Sequence, residues 1–455
     1  MSSVFGIPAS PRVGLTVAGD AVVLLASLYL AHWLRFPEAR QLFSLPHILS
    51  ATTGASTLFL GTHLLALYLA DTYSPAITFR RPVHALRLAA ASLVAFIAMM
   101  AAFQALPTWQ FGRGITALGT GFGFLGITLW RSLGARWLHR VTPTRPLILV
   151  GHGPAADRLR DRLQQRDDAA STWRLLPVHD APQAQTALTV QASAHPSVEV
   201  VVANPASLSP SQTHDLMKLR AEGVPIHDLP TFFARLTGRI PAAQLDARAM
   251  LLRPVAATER VPARTALRLL DVVAAALGLV LTLPLVATAA LLIRLTSQGP
   301  AVYRQVRLGQ HRQPFTLYKL RTMVQDAEAQ TGAVWSEGPT DPRVTPVGRL
   351  LRRSRIDELP QLLNVLRGEM TLVGPRPERP PFVSDLEAHI PYYGLRFAVK
   401  PGLTGWAQVN HPYGNTVAHA EAKLEYELYA IEHMSPALYL LIVLKTARTV
   451  VRGGG

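Results

Sequence analysis

Four long apolar runs constrain this chain more than any other feature. Residues 15–34, 48–69, 88–106 and 115–133 are almost free of charge. Each is about 19–22 residues, long enough to cross the bilayer core as a helix, which satisfies its own backbone polar groups. Of the 455 residues, 49% are hydrophobic and only 16% charged, a balance that fits membrane spans better than a soluble domain. The length fits about two to four structural units. The segment before the first run, MSSVFGIPASPRVG, has neither a basic n-region nor a cleavage site, so this run reads as a retained anchor.

The formal net charge of +16 suits cytoplasmic loops beside anionic lipid and an anionic substrate. Its basic residues flank apolar runs and no nucleic-acid motif appears, so the reading is no nucleic acid. There is no cysteine, which excludes disulfides and thiolate metal sites. With the N-terminus inside, the inner segments carry Arg12, then Arg80, Arg81 and Arg87, then Arg131, Arg136, Arg140 and Arg145. The outer loops carry Arg35, Arg40 and Arg113. Both ends of the bundle are therefore expected in the cytoplasm. Asp20, inside the first run, is either functional or an acid reaching the interface. Gly119, Gly121, Gly123 and Gly126 suit close helix packing.

Residues 146–150 form a short buried-strand pattern, followed by Gly151-His152-Gly153-Pro154-Ala155-Ala156 and a helical stretch at 157–165. This is the strand, glycine turn and helix of a dinucleotide-binding fold. Further strands are expected at 175–178, 198–202 and 224–227. No acid is well placed to hold a ribose; Asp180 comes late. A scaffold or nucleotide pocket is expected here rather than a working dehydrogenase.

A fifth apolar run, 272–293, lies between Arg264 and Arg268 on one side and Arg294 on the other, with Pro284 near its middle. Proline breaks the helical ladder. Basic residues at both ends favour a re-entrant hairpin that keeps the rest of the chain in the cytoplasm; the competing reading is a Pro-kinked fifth span.

The chemistry concentrates after residue 299. Lys319 and Arg321 alternate with apolar neighbours, as on a strand with one basic face. Arg349, Arg352, Arg353 and Arg355 precede the adjacent acids Asp357 and Glu358. Pro360 suits the first turn of a short helix with apolar Leu362, Leu363, Val365 and Leu366, stopped by Gly368. This places the acids at a helix N-terminus, where anions are favoured, beside arginines that suit phosphate oxygens. A metal and a nucleophile are one reading; an N-capping acid in a solvated charge cluster is the other. Residues 371–378 form a rigid turn presenting Arg376, and 400–410 a glycine-rich loop with Gln408 and Asn410. Residues 420–428 read as an amphipathic helix, and 436–451 as an apolar helix on the membrane surface.

Three motifs in order, KLRTM at 319–323, RRSRIDELPQLLNVLRGEMTLVGPRPE at 352–378 and KPGLTGWAQVN at 400–410, resemble the bacterial polyprenyl-phosphate hexose-1-phosphate transferases. These are monotopic phosphoglycosyl transferases that begin exopolysaccharide and O-antigen synthesis. Residues 264–455 carry the motifs, and the segments before them resemble the large members. Residues 411–436 resemble the branch of exosortase-type loci. Many members have Ser-Pro at the helix break; here Leu283 precedes Pro284, which puts the re-entrant geometry in question but not the chemistry.

The resemblance implies a membrane α plus α/β protein. Its parts are a four-helix transmembrane bundle at 1–140, a Rossmann-like cytoplasmic domain at 141–255, and a small α/β catalytic domain at 256–455 with a re-entrant helix at about 264–298. It places the chain in the bacterial inner membrane, multi-pass, with the catalytic domain cytoplasmic. It makes Asp357 the nucleophile and Glu358 a ligand of Mg²⁺. It makes Arg352 a phosphate binder, Lys319 and Arg321 candidates for pyrophosphate or lipid phosphate, and Pro375 and Arg376 the uridine side. Gln408 is a substrate-binding candidate whose alternative is bracing its loop. The implied partners are a UDP-sugar, polyprenyl phosphate and membrane lipid, with a homodimer left open. Two rivals stand: a non-catalytic scaffold of polysaccharide assembly, and a nucleotide-sugar dehydratase or epimerase. The intact acids and cations weigh against the first, and the incomplete cofactor pattern and lack of a clear Tyr-x-x-x-Lys pair against the second.

Overall fold

The computed structural model describes residues 11–36, 53–70, 72–73, 81–105, 112–141, 145–164, 173–176, 198–242, 261–329, 332, 334–335, 341–412, 414 and 416–451. Helices α1 (Pro11–Arg35), α2 (Thr53–Leu69), α3 (Arg81–Ala105) and α4 (Arg113–Val141) pack around a core that includes Leu24, Leu28, Phe59, Leu88, Met99 and Ile127. The small residues of α4 serve its contact with α1. A Cβ at Gly123 would lie 3.0 Å from Leu24, and one at Gly126 only 2.7 Å from Val23, so side chains there would push the helices apart. Gly121 faces open space and takes no part.

Asp20 lies fully buried between these helices rather than at an interface. Arg131 Nη2 donates to its Oδ2 at 2.5 Å and Nε to its Oδ1 at 3.2 Å, while Nη1 donates to the carbonyl of Thr72 at 2.8 Å. The pair thus ties α1 to α4, and Arg131 links both to the end of α2. By length and apolarity, 14–35 and 85–104 meet the requirement for crossing a membrane, as do residues 264–296; α2 is shorter, at 17 residues. Helix α4 is not among them, so two of the four expected spans pass this test. Residues 48–52 of the second expected run and 106 of the third lie outside the described residues.

The middle segment forms a parallel sheet of β1 (Arg145–Val150), β2 (Trp173–Leu175), β3 (Glu199–Val202) and β4 (Ile226–Asp228), in the order β2-β1-β3-β4. Alternation sorts its side chains. Leu147, Leu149 and Val201 face α5 (Pro154–Gln164) and α7 (Leu229–Thr237). Ile148, Val150, Val200 and Val202 face α6 (Pro210–Ala221). Helices therefore cover both faces, as a buried parallel sheet requires. Gly151 and Gly153 after β1 have φ of +97° and +135°, which explains glycine there. The strand expected at 175–178 is observed at Trp173–Leu175; 177–178 and Asp180 lie outside the described residues.

Helix α8 (Val261–Thr296) is a single 36-residue helix with Pro284 inside it. Helical structure is not interrupted there, although proline deprives a carbonyl of its donor. Both arms rest on the C-terminal body. Ala275 packs with Leu362 and Val365, and Ala289 and Ile293 with Leu320 and Leu351. Between them Val280 and Leu281 are 72% and 78% exposed.

The body begins with the antiparallel pair β5 (Val302–Leu308) and β6 (Pro314–Leu320), in register from Val302↔Leu320 to Leu308↔Pro314. Helix α9 (Pro346–Ser354) is capped by Thr345, whose Oγ1 accepts from the N–H of Gly348 at 3.0 Å. Arg355 closes it in the left-handed region, φ 59°. A 3-10 turn, Ile356–Gln361, then leads into α10 (Leu362–Arg367), which Gly368 stops at φ 81°. The acid pair therefore sits within a tight turn after one helix and before another, with Pro360 inside that turn rather than opening an α-helix. Strand β7 (Thr371–Val373) pairs in parallel with β8 (Gly402–Thr404). A Cβ at Gly402 would lie 2.0 Å from the N of Gly374, so the two loops approach backbone to backbone.

Helices α11 (Pro380–His389), α12 (Trp406–Asn410), α13 (Val417–His433) and α14 (Pro436–Val451) complete the body. The middle segment shares its core: Ala234, Ile240 and Ala242 pack with Trp406, Tyr429 and Ile431. Trp406 Nε1 donates to the carbonyl of Gly238 at 2.9 Å, and Arg158 grips Glu425 through two bonds of 2.8 and 3.0 Å.

Candidate active site

Lys319 at the end of β6, the 3-10 turn after α9, and Arg376 after β7 converge on one pair of carboxylates. Arg376 Nη2 donates to Glu358 Oε1 at 2.6 Å. Lys319 Nζ lies 3.5 Å from the same oxygen, and Arg355 Nη1 lies 3.6 Å from Oε2. Asp357 and Glu358 are both buried. Asp357 Oδ1 and Gln361 Nε2 are buried with no hydrogen-bond partner among the described residues. A buried carboxylate oxygen without a donor is costly unless a ligand satisfies it.

Electrostatics separate the two acids. Burial and the neighbouring Glu358 charge push the Asp357 carboxyl up to about 6, against the pull of Lys319, Arg376 and Arg352. Burial also opposes charge on Glu358, but Arg376, Lys319 and Arg355 outweigh it and hold that carboxyl well below the usual range. Burial pushes the Lys319 ammonium down to about 8, with Arg376 and Arg307 adding to the shift and Glu358 opposing it. Neighbouring carboxylates with divided ionisation are a recurrent feature of reactive sites.

The other expected residues are placed as follows. Arg352 Nε donates to Thr322 Oγ1 at 2.9 Å, and its charge acts on Asp357. Arg321 reaches the end of α8: its Nη2 donates to the carbonyl and hydroxyl of Ser297 at 2.9 and 2.8 Å. Its Nε and Nη1 are buried without a partner among the described residues. Lys319 and Arg321 thus have different partners. Pro375 stands between the β7–β8 junction and Arg376; its carbonyl accepts from the N–H of Gly402 at 2.8 Å. Gln408 Nε2 donates to the carbonyl of Leu403 at 3.3 Å, while its Oε1 is buried without a partner among the described residues. Asn410 Oδ1 accepts from Lys445 at 2.7 Å.

Four supporting residues are not legible as such in the sequence. Asn364, fully buried, accepts from the N–H of Tyr318 and donates to the carbonyl of Thr316 and to Glu369. It clips α10 to β6 and so sets Lys319 against the acids; a polar residue inside the apolar run 362–366 was the available clue. Arg396 and Glu427 form a buried pair, and Arg396 Nη2 donates to the carbonyl of Arg376 at 2.8 Å. Asp271 accepts from Thr371 Oγ1 at 2.7 Å, from the N–H of Leu372 at 2.9 Å and from the Tyr439 hydroxyl, fixing β7 to α8.

A divalent cation fits this donor set in part. Among the described residues, no group of three or more His, Asp or Glu side chains stands together. Mg²⁺ commonly takes only one or two carboxylates and completes its shell with water and substrate phosphate. The unsatisfied Asp357 Oδ1 suits it. Glu358 Oε1 is committed to Arg376, which leaves Oε2 as the Glu358 atom suited to a metal.

The sequence profile described as bacterial sugar transferase matches residues 262–453. The chain is 39% identical over 235 residues to the UDP-N-acetylgalactosamine-undecaprenyl-phosphate N-acetylgalactosaminephosphotransferase of Aeromonas hydrophila, covering 51% of this chain and 53% of that protein. It thus spans about half the length of that relative. It is 44% identical over 213 residues to the UDP-glucose:undecaprenyl-phosphate glucose-1-phosphate transferase of Caulobacter vibrioides, covering 46% of this chain and 78% of the relative. It is 50% identical over 129 residues to a Bacillus subtilis protein named as a putative undecaprenyl-phosphate N-acetylgalactosaminyl 1-phosphate transferase, covering 28% of this chain and 71% of that one. With more than two thirds of two such relatives covered, the chain belongs to the bacterial sugar transferase family.

Proposed function

We propose that this protein transfers a sugar-1-phosphate from a UDP-sugar to polyprenyl phosphate, in two displacements at Asp357. In the first, a carboxylate oxygen of Asp357 attacks the sugar-bearing β-phosphorus. The bond from that phosphorus to the bridging oxygen breaks, and UMP leaves with the electron pair. In the second, a phosphate oxygen of the lipid attacks the aspartyl-phosphosugar. The phosphorus–aspartate bond breaks, giving polyprenyl-diphospho-sugar and restoring the carboxylate. The buried Asp357 carboxylate, one of whose oxygens lacks a partner among the described residues, set among Lys319, Arg376 and Arg352, carries this reading. A carboxylate can serve as such a nucleophile, and phosphoryl transfer rests on positioning and on neutralising charge.

Roles follow from placement. Arg376 and Lys319 hold Glu358 and offer positive charge to the diphosphate; Arg352 does so from α9. Mg²⁺ would be held by Asp357 and Glu358 with donor phosphate oxygens, and would supply charge neutralisation. Arg321, with two buried donors free among the described residues, suits a phosphate near the end of α8. Pro375 and Arg376 flank the uridine side. The names of the relatives support a UDP-sugar and undecaprenyl phosphate.

The wider organisation is part of the proposal. The first four helices act as a transmembrane bundle and the parallel sheet as a Rossmann-like domain. Helix α8 enters and leaves the membrane from the cytoplasmic face of the bacterial inner membrane. Its two arms packed on one body, with an exposed apolar middle, support re-entry. The reaction would begin exopolysaccharide or O-antigen synthesis. Asp357→Asn tests the nucleophile: with labelled UDP-sugar, wild-type protein forms a phosphosugar adduct and the variant does not. An adduct that persists in the variant contradicts the assignment.

A further inference from the structure

A cavity of about 430 Å³ lies behind the Gly374–Pro375 wall, between the first arm of α8 and helices α13 and α14. Its size is in the range of small-ligand sites, about 300–1,000 Å³. Lys319, Arg352, Asp357, Glu358 and Arg376 do not line it. Leu267, Val399, Trp406, Ile431 and Met434 give it apolar walls, and three cations, Arg264, Arg268 and Lys400, join them. Two of the cations converge: a Cβ on Gly368 would lie 3.4 Å from Arg268 Nη2 and 3.5 Å from Lys400 Nζ. Burial and the charges of Arg268 and Arg264 push the Lys400 ammonium below its usual value.

The acids that reach the cavity are already engaged. Asp271 accepts from Thr371, Leu372 and Tyr439. Glu427 is held by Arg396. Arg268 donates to the carbonyls of Val365 and Leu366 at 2.8 and 3.0 Å, neutral groups that bring no opposing charge. The cavity therefore has surplus positive charge at one part and apolar walls at another. Beside it, Leu269 and Leu270 on α8 are exposed, a surface that suits hydrocarbon.

We propose that this cavity binds an anionic phospholipid, with the phosphate between Lys400, Arg268 and Arg264 and the first acyl carbons against Trp406 and Met434. A free phosphate would leave the apolar walls unused. The polyprenyl acceptor must reach Asp357, which does not border the cavity. The bound lipid would also brace Pro375, the neighbour of Arg376. Binding does not depend on the transfer reaction proposed above.

The test uses the full-length protein in neutral detergent, doped with phosphatidylglycerol or with phosphatidylcholine of the same acyl chains. Native mass spectrometry reads lipid retention and thermal unfolding reads stabilisation. Phosphatidylglycerol is expected to be retained and to raise the unfolding midpoint more than phosphatidylcholine. The double variant R264Q/K400Q should lose about tenfold or more in affinity, in line with about 1 kcal/mol per basic residue. Ala430→Leu, which fills the cavity without altering charge, should weaken retention too, and Arg294→Gln, at the far end of α8, should not. Equal retention of the two lipids by wild-type protein, or an equal loss in Arg294→Gln, overturns the proposal. So does equal stabilisation by inorganic phosphate, which would indicate an anion site only. Displacement of phosphatidylglycerol by polyprenyl phosphate, with a raised acceptor KM in R264Q/K400Q, would make this an acceptor subsite and also overturn it.

Discussion

Arg376 and Glu358 form the closest ion pair at the candidate site, with Nη2 of the arginine 2.6 Å from Oε1 of the acid. Lys319 and Arg355 stand near the same carboxylate. Glu358 therefore stays ionised, while its charge makes Asp357 harder to ionise. Arg376→Ala should release Glu358 and remove a charge from the phosphate path. A loss of about 10²-fold in kcat is expected, as for removal of a preorganised donor. Steady-state kinetics on UDP-sugar check it; an unchanged kcat would place Arg376 outside the chemistry.

The pH dependence follows from two shifts of opposite consequence. Asp357 takes up a proton as pH falls through about 6, and the neutral carboxyl would be too weak a nucleophile for the proposed attack. Lys319 loses its charge as pH rises through about 8 and would then hold the proposed substrate phosphate less well. In kcat/KM, a maximum between these values is expected, with the alkaline limb moved upward in Lys319→Arg.

Metal binding should be linked to the same proton. A ligand carboxylate must be ionised, so Mg²⁺ affinity should fall as pH drops through about 6. Calorimetry on the purified protein reads this directly. In Asp357→Asn the pH dependence should disappear. Chelation with EDTA should abolish turnover in the wild type, and Mg²⁺ should restore it.

Asn364 is a test of the scaffold behind Lys319. Its side chain makes three hydrogen bonds while fully buried. Asn364→Leu should leave the groups on β6 unpaired and cost about 1–3 kcal/mol for each buried group stranded. A lowered unfolding midpoint is expected, with loss of activity even in the folded fraction because Lys319 is no longer held.

The Asp20–Arg131 pair tests the membrane half. Removing one partner of a buried pair costs about 3–5 kcal/mol, whereas replacing both with apolar residues can restore stability. Asp20→Leu alone should lower the unfolding midpoint sharply, and D20L/R131M should recover most of it. Activity per folded molecule should not change, because the pair ties α1 to α4 and lies outside the candidate site.

Local chemistry was legible in the sequence where residues adjacent in the chain act together. The acids 357–358, the stop at Gly368 and the glycine-rich loops all read from spacing and turn preference. The helices of the first 141 residues and the strands at 145–150 and 199–202 followed from apolar pattern. Tertiary pairings were not legible. Asp20 read as a functional acid or an interfacial one because Arg131 is distant in sequence. Alternation puts Arg321 on one basic face with Lys319, but its contact with Ser297 at the end of α8 is not encoded locally. The acid pair read as a helix opening because a left-handed Arg355 gives no compositional signal; glycine or asparagine is the usual marker of that conformation. Asn364, Arg396 and Asp271 act through contacts that no local pattern encodes.

The central claim is tested most directly by nucleotide release. Purified protein in nanodiscs, with Mg²⁺ and undecaprenyl phosphate, is offered a panel of UDP-sugars. Lipid-dependent release of UMP with at least one sugar, lost in Asp357→Asn, is the expected result. Release of UDP in its place would mean glycosyl transfer and would contradict the account.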